Sequence, residues 1–544
     1  MPRARPWLWS LPLLLLPLSA RAAETSRPSR RALLQVLDRM TYGPRPGDAE
    51  ALEKEGVPAF IERQLHPEKI DDGACEKRLA GYKTLSMSGQ QLMDAYPDKK
   101  RRKLLGLFGG TPPPREVGEE LSAAKVLRAY CSERQLQEVL TDFWFNHFNI
   151  SLAKNQDKWL ATPYERDVIR PRVLGKFRDL LGATAHSPAM LIYLDNAQST
   201  VDARYAPAET RQEIAEMEGR MAMTDMKTGK KAGRRHLGLN ENYARELMEL
   251  HTLGVDGGYT QKDVTELARV LTGWSVERPN KKNRLQDLRF QFRKKMHDPG
   301  GKVVLGTPFL GGGEQEGERA LDLLAKHPST AKFIARKLCR RFIADDPPAS
   351  CVDAASARFR ETDGDLRETV RAVLQSPAFL DPQYFRAKVK TPFEFAISAL
   401  RATKAEIRDP LKVARAVGGM GQPLYLCEPP TGYPDKAEAW VNGGALLARM
   451  KAAQNLFTDN PNAPATADLK LILEGGDNND GESILRAFVD AFLGGEISER
   501  TLAAIRGRLD DPEISGAKLD DPRKHYRRGK LAALVLGSPD FQRR

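Results

Sequence analysis

The chain has 544 residues, of which 41% are apolar, and a formal net charge of +13. That length exceeds one small core and allows two or more subdomains, while the charge points to anionic partners: nucleic acid, acidic lipid headgroups or acidic polymers. Five cysteines and no CxxC pair exclude a dense disulfide scaffold and a zinc ribbon.

The N-terminus narrows the choice of partner. Arg3 and Arg5 precede an apolar run, Trp7 to Leu18, and Ala20-Arg21-Ala22 supplies the small residues that a signal peptidase reads. Residues 1–22 are therefore expected to be a secretory signal peptide. The run is short and is interrupted by Pro12 and Pro17, so it does not read as a membrane span. No later stretch has eighteen consecutive apolar residues, so the mature chain is expected to have no transmembrane segment. Export to the periplasm or beyond disfavours nucleic acid and leaves an anionic polymer as the basic surface's partner. An oxidising compartment also permits a disulfide, and Cys339 with Cys351, close in sequence around a Pro-Pro turn, is the best candidate pair.

Taken in order, the spacing predicts helices over 31–40, 48–54 and 58–65. A long helix follows over about 116–148, with a break expected near Cys131. Another begins at Pro163, and an apolar segment ends at Asp195-Asn196. Residues 199–235 are polar, strongly basic from Gly229 to Arg235, and read as a surface loop. Two helices joined by a glycine turn are expected between Asn240 and Trp274. Asn240 suits the first N-cap, Gly254 its stop, and Thr260 with Asp263 a capping box for the second. The alternation in Arg289–Arg293 and in Lys302–Leu305, around His297-Asp298-Pro299-Gly300-Gly301, predicts one small β-hairpin. Further helices follow at 328–343, 365–375, 391–403 and 437–457. The expected class is mainly α, a multi-helix globular domain over 31–457, then a linker at 458–481 and a small helical C-terminal unit at 482–544.

Several long segments read together: FWFNHFNIS from Phe143, MLIYLDNAQS from Met190, NENYARELMELHTLG from Asn240, and YTQKDVTELARVLTGW from Tyr259. HDPGGKVVLG at His297, HPSTAKFIARKLCRRF at His327, KTPFEFAISALRA at Lys390, and MGQPLYLCEPPTGYPDKAEAWVNGGALLARM at Met420 continue the set. In this order they closely resemble the bacterial family called domain of unknown function 1800. The resemblance implies an exported, mainly helical protein, with no activity to carry over. It also implies a partner: a second exported protein, phosphatase- or sulfatase-like, encoded by a neighbouring gene. This chain departs from many relatives at Pro429-Pro430-Thr431-Gly432-Tyr433, where Asn and Trp stand in place of Thr431 and Tyr433.

For chemistry, the sharpest expectation is a metal site. Asn242, Glu246 and Glu249 share a helical face, and His251 lies at that helix's end. Glu246, His251, His147 and His297 are the expected ligands of one divalent transition metal, with Asp298 and Glu249 as catalytic acid–base groups. Each has a plainer reading. A histidine at a helix C-terminus meets the helix dipole. His147, on an apolar stripe, reads as a core residue with one hydrogen bond. Asp298 before Pro299 is an ordinary turn starter. No HExxH, GxSxG or phosphate-binding loop is present. The two functional expectations are a metal-dependent enzyme acting on an envelope or extracellular substrate, and a non-catalytic envelope binding or assembly protein working with an exported partner.

Overall fold

The computed structural model describes residues 28–99, 102, 112–202, 206, 208–227, 238–277, 288–458, 460–473, 480–509 and 523–544. The signal peptide expected over 1–22, the basic stretch 229–235 and part of the linker expected at 458–481 lie outside them.

The protein is mainly α-helical, and local sequence chemistry sets many helix starts. Ser88 with Gln91, Thr260 with Asp263, and Thr391 with Glu394 form complete capping boxes, each satisfying backbone N–H groups that a helix start leaves orphaned. Asp365, Asn442, Asp480 and Ser498 cap other helices through single side-chain bonds. The helix expected over 116–148 is two helices, Arg115–Cys131 and Gln135–His147. Between them Ser132, fully buried, donates to Asp72, which also accepts from the Glu133 backbone N–H.

The first half of the expected pair between Asn240 and Trp274 runs as Asn242–Glu246 and then widens into a π-helix over Leu247–Thr252. It stops at Gly254, whose φ of +82° puts its hydrogens where a Cβ would collide with the Phe333 ring. The second half, Gln261–Val270, begins at the expected capping box.

Strands are few and short. Among the described residues there are three two-stranded antiparallel sheets. The alternating segments expected to form one hairpin do not pair with each other. Arg289–Phe292 pairs instead with Trp274–Glu277, and Lys302–Val304 turns back onto Thr307–Phe309. The tight turn falls at Leu305-Gly306, both at positive φ (48° and 74°), the backbone of a type I′ turn. The His297–Gly301 segment is held by tertiary contacts. Asp298 receives two bonds from Arg269 at 2.8 and 3.2 Å, and His297 bridges the Thr272 carbonyl and the Glu316 carboxylate.

One contiguous hydrophobic core runs from Leu33 to Phe541 and includes the buried side chains of Trp144, Tyr164, Phe177, Tyr243 and Phe342. The Gln135–His147 helix runs through it, touching both Arg30–Met40 and Val57–Leu65. The described residues of 482–509 and 523–544 share this core. Phe488 and Phe492 pack within it, and the Arg523–Leu536 helix lies on Gly443–Asn455 and Gly481–Leu493. The chain's last residues then run antiparallel to Lys388–Lys390. Lys388 exchanges two backbone hydrogen bonds with Arg544, and the Lys390 N–H donates to Gln542. No helix among the described residues is long and apolar enough to cross a membrane.

Four of the five cysteines are paired. Cys339–Cys351 joins the Pro328–Phe342 and Ala349–Glu361 helices, as the short spacing suggested. A second pair, Cys75–Cys131, ties the Gly73–Leu79 helix to the end of Arg115–Cys131. Cys427 is free and buried.

Lys390 is an uncommon occupant of this core. It is 4% exposed, donates to Ser398 Oγ at 2.8 Å, and lies 4.1 Å from the centre of the Phe541 ring. Burial pulls its pKa from 10.5 down to about 8. A lysine depressed in the folded state penalises folding wherever it must be protonated, so the penalty is full below about pH 8 and fades as pH rises toward 10.5. Lys390→Met is therefore expected to stabilise the protein by roughly 1–3 kcal/mol at pH 7, with little gain near pH 10. Urea unfolding at the two pH values measures it, and equal gains at both would contradict the assignment.

Candidate functional site

The expected metal ligands do not form one cluster. His147 and His251 are neighbours, with ring centres 6.2 Å apart, walled by Phe148 and Phe333. His147 Nε2 faces the His251 carbonyl oxygen at 3.1 Å, so this nitrogen carries the proton and Nδ1 holds a bare lone pair. Among the described residues His147 Nδ1 and His251 Nε2 have no hydrogen-bond partner. Burial, with Lys337 nearby, pushes both imidazoles toward the neutral form, and His251 falls to about 3.

His297 belongs elsewhere. Its Nε2 lies 3.1 Å from Glu316 Oε2, which also accepts from Lys302 Nζ at 2.6 Å; Lys302 and Glu316 are fully buried. Lys302 additionally donates to the Asp298 carbonyl oxygen, so the group cross-braces the Thr307–Phe309 hairpin and the Glu314–Lys326 helix. Asp298 is bound by Arg269, whose guanidinium outweighs burial and lowers its pKa. Glu246 is half-buried, and burial and the neighbouring Glu249 raise its pKa. Glu249 accepts from the Tyr259 hydroxyl at 3.2 Å. Among the described residues no three His, Cys, Asp or Glu side chains are placed to share a metal ion.

A different site gathers four of the long sequence motifs, those from Phe143, His327, Lys390 and Met420. A half-enclosed cavity of about 80 Å³ opens beside the Gln135–His147 helix. Its basic wall is Lys125, Arg341, Lys388 and Arg544, and its acidic wall is Asp142, Glu394 and Asp435. These seven side chains come from segments far apart in sequence, so only the folded core brings them together.

Each is fixed by local structure. Glu394 is the N3 residue of a capping box: the Thr391 N–H donates to its Oε2 at 2.9 Å. Its Oε1 lies 3.0 Å from both Arg341 Nη2 and Arg544 Nε. Burial pushes the Glu394 pKa up, but Arg544 and Arg341 outweigh it and hold the carboxyl at about 2. Arg544 reaches in because successive residues of an extended segment point to opposite sides: Arg543 is exposed and Arg544 buried. Lys388 is paired with Asp345 and is also 3.3 Å from the Asp435 carbonyl oxygen. Burial, aided by Arg544, brings the Lys388 pKa from 10.5 to about 8. Lys125 is paired with Asp142 and lies 4.7 Å from the centre of the Tyr425 ring.

The outer wall is the loop 420–435. Gly432 permits its close approach: at φ +70°, a Cβ there would sit 2.3 Å from the Asn146 carbonyl oxygen. Asn146 grips the loop from both sides, accepting from the Tyr433 N–H at 2.7 Å and donating to the Tyr433 carbonyl at 2.9 Å. Asn149 donates to the carbonyl oxygens of Cys427 and Pro429. Tyr425 holds a left-handed backbone, φ 60°, which costs a side-chain-bearing residue about 1–3 kcal/mol and clusters at functional sites. Its hydroxyl donates to Glu165, buried in a π-helix over Tyr164–Ile169, and Arg170 binds both Glu165 and Glu138 behind it.

Chemically, the pocket has more donors than its own carboxylates take up. Arg341 and Arg544 share one oxygen of Glu394, and Arg341 Nη1 is buried without an acceptor. Arg39, fully buried and close enough for its charge to be felt by Arg544 and Arg341, adds to the positive field without lining the cavity. The arrangement suits an oxyanion presented from the cavity. With a pKa of about 8, Lys388 is also able to give or take a proton near neutral pH.

No curated protein and no solved structure matches the chain. Residues 35–543 match the family described as Protein of unknown function (DUF1800), nearly the whole chain and every pocket residue except Arg544, and the chain belongs to that family.

Proposed function

We propose that this protein is an exported receptor for a small oxyanion-bearing ligand, such as a carboxylate, sulfate ester or phosphate ester. The ligand is held in the Lys125–Arg341–Lys388–Arg544 pocket. The observation that carries the reading is the convergence of Lys125, Arg341, Lys388 and Arg544 on one small cavity, with the two arginines sharing a single Glu394 oxygen. The recognition is of a head group, since about 80 Å³ admits little more than one oxyanion and its attached carbon.

Export is supported by the leader-like sequence at residues 1–22 and by two disulfides, which cytosolic proteins rarely keep. The binding reading is preferred to a metal-dependent enzyme because His147 and His251 are neighbours but, among the described residues, no third His, Cys, Asp or Glu side chain is placed to share a metal ion with them.

Calorimetric titration with sulfate, phosphate, acetate and citrate tests the pocket. At least one anion is expected to bind saturably. Arg341→Lys, which keeps the charge beside Glu394 but removes the guanidinium fork, is expected to weaken it about ten-fold with little change in unfolding temperature. An affinity unchanged by Arg341→Lys, or no saturable anion binding, rejects the proposal.

A further inference from the structure

A second basic surface lies across the Lys388–Lys390 and Gln542–Arg544 pairing from the pocket, and it does not depend on the pocket's role. It is an open groove of about 870 Å³ between Phe385–Arg386, the Glu499–Arg506 helix and the chain's last residues. Five arginines line it, Arg31, Arg386, Arg500, Arg508 and Arg543, against two carboxylates, Glu496 and Asp540.

Both carboxylates are already engaged. Glu496 pairs with Arg31 at 2.9 Å. Asp540 accepts from the Ser498 N–H and Ser498 hydroxyl at 2.9 Å each, and from the Thr501 hydroxyl, which fastens the helix start. Arg386 is also committed, donating to the carbonyl oxygens of Glu496 and Leu493. Arg500 and Arg543 are exposed and form no ion pair among the described residues. The groove therefore presents two uncommitted guanidinium groups in a field that its own carboxylates do not cancel.

We infer that this groove binds an acidic polysaccharide, through repeated sulfate or uronate groups along the chain. Guanidinium forks match such oxyanions with paired N–H donors, and an open groove lined by several arginines engages more than one repeat at once. A single-stranded nucleic acid fits less well. Its tight, sequence-tolerant binding needs bare aromatic faces for base stacking. The groove's one aromatic ring, Phe385, is already covered by the guanidinium groups of Arg31 and Arg386, each 4.9 Å from its centre.

The test uses the full mature chain, with a size-defined heparin fragment and polygalacturonate as probes. Binding is measured by fluorescence anisotropy over a range of sodium chloride concentrations. Arg500→Glu/Arg543→Glu is expected to weaken binding at least about ten-fold, as loss of two charge-assisted contacts implies. It should also lower the slope of log affinity against log salt by about two. Because any loss of positive charge weakens polyanion binding, Lys332→Glu/Arg336→Glu serves as control: it makes the same charge change at exposed positions on the Pro328–Phe342 helix. That control is expected to change affinity by less than about two-fold. Equal losses in both variants reduce the effect to net charge and overturn the inference. So does the absence of binding to either polysaccharide at low salt. Single-stranded DNA binding as tightly, with the same dependence on Arg500 and Arg543, overturns it in favour of nucleic acid.

Discussion

Glu394→Gln is expected to destabilise the protein by roughly 3–5 kcal/mol, the cost of stripping one partner from a buried ion cluster. The substitution keeps the size of the side chain and a carbonyl oxygen for the Thr391 cap. What it removes is the negative charge between Arg341 and Arg544, both within 3.0 Å of Oε1. Glu394→Ala additionally breaks the capping box and is expected to cost about 1 kcal/mol more. The pH dependence carries the same sign. The folded pKa of about 2 lies below the ordinary glutamate value of 4.5, so the carboxylate's contribution is complete above about pH 4.5. It is lost as pH falls from there through about 2, and amounts to about 3 kcal/mol over the window. Urea unfolding from pH 7 to pH 3 should therefore show a steeper loss in the wild type than in Glu394→Gln. The variant also frees guanidinium N–H groups that face the cavity, so phosphate should restore more stability to it than to the wild type. Parallel pH curves with no phosphate effect would mean that the cluster is solvated and the pocket reading misplaced.

Much of the helical frame is legible in the sequence because its signals are local. Thr260 and Asp263 lie three residues apart, and a capping box needs nothing further. Cys339 and Cys351 are close enough in sequence for their pairing to be guessed. Signals that depend on distant partners were not readable. Two alternating segments around a Pro-Gly-Gly turn resembled a hairpin, yet Arg269 and Glu316 hold that turn and each segment finds another strand. The turn that does form, at Leu305-Gly306, places leucine at positive φ, which no propensity argument would choose.

The site follows the same logic. Glu246, Glu249 and His251 stood out because they share one short helix, but Glu249 turns to Tyr259 and His251 to an aromatic core. The cavity's charged residues arrive one or two to a segment, with no spacing to reveal them: Asp142 on one helix, Arg341 on a second, Glu394 on a third, Arg544 at the end of the chain. The only trace was indirect. Phe143 to Ser151, His327 to Phe342, Lys390 to Ala402 and the 420–435 loop are stretches that carried the family resemblance, and they meet at this pocket. Long motifs marked the neighbourhood, and the individual roles required the fold.

Removing the Cys75–Cys131 bridge is expected to cost about 4 kcal/mol, more than the roughly 3 kcal/mol for Cys339–Cys351, because a cross-link restricts the unfolded chain in proportion to the logarithm of the loop it closes. The two loops span 56 and 12 residues. Cys75 and Cys131 sit at a junction where Asp72 also binds Ser132 and the Glu133 N–H, and where the Cys75 sulfur lies 3.8 Å from the Leu127 carbonyl. The Asp72 contacts to Ser132 and the Glu133 N–H survive a Cys75→Ala/Cys131→Ala change, and the loss falls mainly on the unfolded side. Urea midpoints of the two double-alanine variants measure the order of the effects. The same experiment bears on compartment. Wild-type protein recovered from an oxidising compartment should yield the 75–131 cross-linked peptide without reductant and should unfold at a higher urea concentration than reduced protein. Reduction should bring it to the stability of a variant lacking all four paired cysteines. Should oxidised and reduced wild type unfold together, neither bridge would be contributing, and the strongest structural support for export would be gone.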